Sequence, residues 1–176
     1  MLTNISSFGH LVIGNLLFVV GGMNYDTQQR RNSEIISINL DSGSIKKYES
    51  KTSVASIPSP RINPCVSAIE KSILLVFGGE VYNNNTGTSS FLNDMYIFKI
   101  ETKTWTKIED SFHSKFPLLV RPSLINFGDN CLYLLGGKRQ ILHNDGSGVQ
   151  EIDNFGMYKL RVINKTINSK SDCCVK

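Results

Sequence analysis

Five apolar residues closed by a glycine pair occur three times along the chain: Leu16-Leu17-Phe18-Val19-Val20-Gly21-Gly22, Ile73-Leu74-Leu75-Val76-Phe77-Gly78-Gly79 and Cys131-Leu132-Tyr133-Leu134-Leu135-Gly136-Gly137. Gly78 follows Gly21 by 57 residues and Gly136 follows Gly78 by 58, so the pattern is a repeat and not an isolated turn signal. Upstream of each glycine run lies a short apolar stretch (residues 8–13, 65–69 and 122–127), separated from it by Gly14-Asn15, Glu70-Lys71 or Gly128-Asp129-Asn130. Those pairs read as β-hairpins. Downstream, residues 34–40, 94–100 and 156–162 keep apolar side chains at alternate positions, the period of a strand. A polar turn and a fourth short strand follow, centred on Ile45, Trp105 and Ile167, each seven residues beyond Ile38, Phe98 or Leu160. The pattern predicts an all-β chain of three four-stranded antiparallel sheets.

Gly78-Gly79, the acidic-apolar-aromatic step Asp94-Met95-Tyr96, Phe98 and Trp105 together resemble a kelch repeat of the galactose-oxidase/kelch-like family, one blade of a β-propeller. The resemblance implies one kelch-repeat region over residues 1–170, with blades at about residues 5–50, 60–110 and 119–168, and a tail at 171–176. In the outer copies Ile45 and Ile167 stand where the middle copy has tryptophan, and Ile36 and Ile38 stand where it has aromatics. Structural roles are expected for Gly21, Gly22, Gly78, Gly79, Gly136 and Gly137, where backbones crowd or φ is positive. Trp105 and its aliphatic counterparts are expected to pack between blades, where a large aromatic buries about 150–250 Å². Propellers close with roughly four to eight blades. Three blades leave two uncovered faces, so this is expected to be either a piece of a longer propeller or a half-ring that associates with another copy.

Composition adds exclusions. With 40% hydrophobic and 19% charged residues the chain is globular, and a net charge of +4 without a long basic run does not point to nucleic acid. No apolar stretch reaches the roughly 18 residues of a helical membrane span. No signal-like N-terminus is evident, so a reducing cytoplasmic setting is expected, with the sequons at Asn4, Asn84 and Asn164 unused. Cys65 and Cys131 fall in predicted strands and read as buried. Cys173-Cys174-Val175-Lys176 only superficially has the form of a prenylation signal.

Function is expected on one face. The connections between second and third strands, residues 23–33, 80–93 and 138–153, exceed ordinary hairpin length and emerge beside the interblade segments 49–64 and 109–121. They carry Tyr25, Arg30, Arg31, Arg61, Tyr82, Arg121, Lys138 and Arg139, read as partner-binding, with Asp26, Glu80, Asp145, Glu151 and Asp153 among them. Arg and Tyr are frequent interface anchors. The expected function is that of a protein-binding scaffold or adaptor whose partner is another protein, with no cofactor, no metal and no catalysis. The resemblance also admits a fragment of a kelch-type enzyme, a sugar isomerase or copper oxidase. His10, His113 and His143 stand in different repeats without ligand spacing, and His10 is expected to be a hydrogen-bonded structural histidine in the first strand.

Overall fold

The computed structural model describes residues 5–24, 34–53, 56–83, 88–108, 119–128, 131–142, 149–153, 155–163 and 166–168. The first repeat gives β1 (Ile5–Ser6), β2 (Gly9–Ile13), β3 (Leu16–Val20), β4 (Met23–Asn24), β5 (Ile35–Asn39) and β6 (Ile45–Tyr48). The second gives β7 (Cys65–Ile69), β8 (Ile73–Asn83), β9 (Thr88–Lys99) and β10 (Thr104–Lys107). From the third come β11 (Leu119–Val120), β12 (Ser123–Asn126), β13 (Cys131–Leu135), β14 (Lys138–Leu142), β15 (Val149–Asp153), β16 (Met157–Ile163) and β17 (Thr166–Asn168). Three antiparallel sheets follow, β2-β3-β5-β6, β7-β8-β9-β10 and β12-β13-β16-β17. They are the three propeller blades of the repeat, and the described residues contain no α-helix.

Strand β8 is apolar at consecutive positions because the middle blade of the three is buried on both sides. Leu74 and Val76 face the first blade in a cluster with Phe18, Val20, Ile35 and Tyr48, while Leu75 and Phe77 face the third blade in a cluster with Leu119, Leu124, Leu132 and Leu134. Trp105 is 3% exposed at the first of these seams. Its ring lies 4.9 Å from Phe98 and meets Tyr96 edge-on, and its backbone N–H donates to Thr52 Oγ1 (2.6 Å). Ile45, at the equivalent place in the first blade, is 50% exposed. The expectation that it packs between blades is thereby corrected: no blade lies on that side of it among the described residues. The side chain of Ile167 lies outside the described residues.

All six glycines of the three pairs have positive φ, from 60° at Gly78 to 101° at Gly79. At Gly79 a Cβ would also stand 2.7 Å from the Ile62 carbonyl oxygen, so that position takes no side chain without backbone movement. The turn lets the next residue pair back onto the segment leading into the blade. Met23 pairs with Ser6, Glu80 with Ile62, and Lys138 with Val120, in each case the residue three before the first long strand of its blade. One residue later the chain adopts a left-handed conformation at Ser7 (φ 56°), Asn63 (51°) and Arg121 (53°). Such a conformation costs a non-glycine residue roughly 1–2 kcal/mol, offset here by the backbone pairing that it permits. Consequently, much of the expected long connections is strand: β8 and β9 extend past the glycine pair, with a register shift between Phe77 and Gly79, and β14 and β15 pair with each other.

Polar links repeat at the seams beside the innermost strands. The Asn63 N–H donates to Ser7 O (2.6 Å), Asn126 Nδ2 to Ala68 O (2.7 Å), and the Cys65 thiol to Pro122 O (2.6 Å). Burial pushes Cys65 up from 9.0 to about 12. The folded state therefore binds this proton more tightly than the unfolded one. That contribution to stability is whole below pH 9 and is lost as pH rises toward 12. Comparing Cys65→Ser with the parent by thermal melts from pH 7 to 11, the parent is expected to lose midpoint more steeply above pH 9. Parallel curves would refute the burial effect.

Candidate functional site

Between the extended hairpins of the second and third blades lies a cleft of about 480 Å³, lined by Glu80, Ser89, Phe91, Arg121, Lys138 and Asp153 together with Gly137. It is built by the same backbone device that follows each glycine pair. Glu80 is the first residue after Gly79, held by mutual backbone bonds with Ile62 (2.8 and 3.0 Å). Lys138 is the first after Gly137 and stands opposite Asp153 in the β14-β15 ladder. Leu119, fully buried in the second seam, anchors β11 against β14 and so fixes where Arg121 leaves the sheet.

Its electrostatics are asymmetric in burial. Glu80 is 6% exposed, and its Oε1 accepts from Asn63 Nδ2 (2.9 Å) and from Arg121 Nε (3.3 Å). The Arg121 side chain remains 68% exposed. A buried carboxylate thus steers an exposed guanidinium through Nε. Asp153 and Lys138 are exposed on the opposite wall, and Ser89 and Phe91 add a hydroxyl and a ring. Such a surface can hold a polar segment that carries a carboxylate beside an apolar group.

The residues expected to bind a partner divide sharply. Arg121 and Lys138 meet in the cleft, Tyr82 is 41% exposed on the β8 extension, and Arg139 is exposed on β14, next to Lys138. Tyr25, Arg30 and Arg31 lie outside the described residues, as do Asp26, His113, His143 and Asp145, and the Glu151 side chain is likewise outside them. Arg61 does not belong to this surface, which corrects its expected role. It is 2% exposed, and its guanidinium donates to both Asp94 carboxylate oxygens (2.5 and 2.9 Å) and to Gly78 O (2.8 Å). His10 is also corrected: it lies exposed on β2, edge-on to Phe8 at 5.8 Å between ring centres. Among the described residues no group of three or more His, Cys, Asp or Glu side chains gathers as a metal site would need.

Sequence reasoning placed Glu80 on this face without its inward role. The signal was present in its position immediately after a glycine pair, where two other repeats place Met23 and Lys138.

The chain matches the KLHDC2/KLHL20/DRC7 Kelch-repeats domain over residues 5–157. Over 102 residues, 57% of this chain, it is 33% identical to the Rho GTPase-activating protein gacHH of Dictyostelium discoideum, covering 6% of that protein. The solved structure of YjhT shares the fold at a TM-score of 0.63 and 14% identity, across 97% of this chain and 52% of YjhT. This chain therefore spans about half of that solved relative and a small part of the curated one. Three glycine-paired four-stranded blades and a family match over most of the residues place the chain in the kelch-repeat family.

Proposed function

We propose that this chain is a protein-interaction scaffold that engages its partner at the cleft between the second and third blades. The observation that carries the reading is Arg121, an exposed arginine in a left-handed backbone conformation, oriented by the buried Glu80. Arginine is enriched among the few side chains that dominate binding energy at protein interfaces. The fitting partner presents an acidic side chain to Arg121 and Lys138 with an apolar group toward Phe91.

The test is a triple substitution, Arg121→Ala with Lys138→Ala and Arg139→Ala. Lys138 and Arg139 are exposed and cost within about 0.5 kcal/mol each, and Glu80 keeps its bond from Asn63 when Arg121 is removed, so the variant is expected to stay folded, which a thermal melt checks. A protein captured by the parent chain from its native source, then purified, is expected to bind the variant at least tenfold more weakly, a loss of about 1.4 kcal/mol. Equal affinity for parent and triple variant would remove this cleft from the interface.

A further inference from the structure

Ser59 is the one serine or threonine of the chain that is followed by proline, in the stretch Ile57-Pro58-Ser59-Pro60-Arg61. The residue before a proline is pushed toward extended backbone, and Pro60 itself has no N–H to be bonded. Pro58 is buried and Pro60 half-buried, so the segment is pinned on either side of Ser59, while Ser59 is exposed. Residues 58–60 belong to no strand of any blade. An exposed serine on extended backbone with proline next to it is the form in which proline-directed serine kinases take their substrate.

What distinguishes this hydroxyl is the charge beside it. The buried Arg61 guanidinium presents two edges. Its end, Nη1 and Nη2, closes on the Asp94 carboxylate. Its side, Nε and Nη2, faces Ser59: Nε donates to Ser59 O (3.1 Å) and Nη2 to Ser59 Oγ (3.4 Å). The bond to Oγ is the longest that the guanidinium makes, so one of its N–H groups is held only weakly, by a neutral acceptor. That donor points at the atom to which a phosphate would be attached.

We propose that Ser59 is a phosphorylation site and that Arg61 receives the phosphate. Ser59 Oγ attacks the γ-phosphorus of ATP. The O–P ester forms as the bond from that phosphorus to the β,γ-bridging oxygen breaks, ADP leaves, and the hydroxyl proton passes to the base of the kinase. The phosphate brings a charge of about −1.5 to −2 and three acceptor oxygens. One of these takes over the Nη2 donor, and a long neutral bond becomes a charge-assisted one. Asp94 keeps its place because it is bound at the other edge, and its repulsion of the phosphate is outweighed by the cation between them. Arg61 also donates to Gly78 O, in the turn that leads to Glu80, so the phosphate steadies that turn.

The full 176-residue chain is tested with MgATP and, in turn, a mitogen-activated and a cyclin-dependent type of proline-directed serine kinase. It is expected to gain one phosphoryl group, mapped to Ser59 by tandem mass spectrometry and absent from Ser59→Ala. The thermal midpoint is expected to rise by about 2–4 °C on phosphorylation, and by less in high salt. The backbone N–H groups of Ile62 and Glu80, which bond to each other's carbonyls, are expected to exchange severalfold more slowly. In Arg61→Lys the same modification is expected to give less than half of that rise, because one ammonium cannot serve Asp94 and the phosphate as two edges do. No incorporation with either kinase, or incorporation into a peptide of residues 56–62 and not into the folded chain, would overturn the site. A midpoint that falls on phosphorylation, or that rises equally in Arg61→Lys, would overturn Arg61 as the receiver.

Discussion

Trp105→Ala is expected to destabilise the protein by about 3–5 kcal/mol, the usual cost of emptying a large aromatic site in a core. In a chain of this size that lowers the thermal midpoint by roughly 10 °C. The expectation rests on position. Trp105 closes the seam between the first two blades against a cluster that includes Phe18, Ile35 and Tyr48 from one side and Tyr96 and Phe98 from its own. Truncation therefore opens a void that neither blade can fill without moving a sheet. Trp105→Phe is expected to cost far less, since the indole N–H makes no hydrogen bond among the described residues and its loss orphans nothing. Thermal and urea melts of both variants decide the matter. A midpoint for Trp105→Ala within a degree or two of the parent would show that the seam is not a unit of stability.

The blades were legible because each holds an apolar run, buried on both faces in β8, and because each run ends on glycines that positive φ demands. The periodicity could not say whether a position has a neighbour. Ile45 and Trp105 hold the same place in their repeats, yet one is half exposed and the other buried, since burial depends on the adjacent blade and not on the strand. The left-handed residues before each inner strand were hidden for a different reason. Of Ser7, Asn63 and Arg121 only asparagine is a residue type that favours that region, so nothing local announces the other two. The cleft was half legible: Arg121 and Lys138 could be placed on the right face, whereas the pairing of Arg121 with Glu80, 41 residues away, is a product of tertiary packing.

Arg61 shows the same limit with larger energetic consequences. In sequence it lies between Pro60 and Ile62 in a polar interblade segment, where a charged side chain is ordinarily solvated. In the structure it is withdrawn from water, stacked at 5.3 Å over Tyr96, and its fork closes on Asp94, 33 residues away, while Nε donates to Ser59 O (3.1 Å). It also caps the carbonyl of Gly78, in the turn on which the β8 extension and hence Glu80 depend. Arg61→Met is expected to lower stability by about 3 kcal/mol, the lower part of the range for breaking a buried pair because Asp94 keeps 20% exposure. Arg61→Lys is expected to recover only part of this, since one ammonium cannot reproduce the bidentate contact and the Gly78 bond together. Combining Arg61→Met with Asp94→Leu removes both charges and is expected to be more stable than Arg61→Met alone. Urea unfolding of the parent, these three variants and Asp94→Leu alone measures the coupling. If the double variant is as unstable as the sum of both single changes, the pair is not the unit that holds this turn. If Arg61→Met costs nothing, the guanidinium is a spectator and the turn is held by its glycines alone.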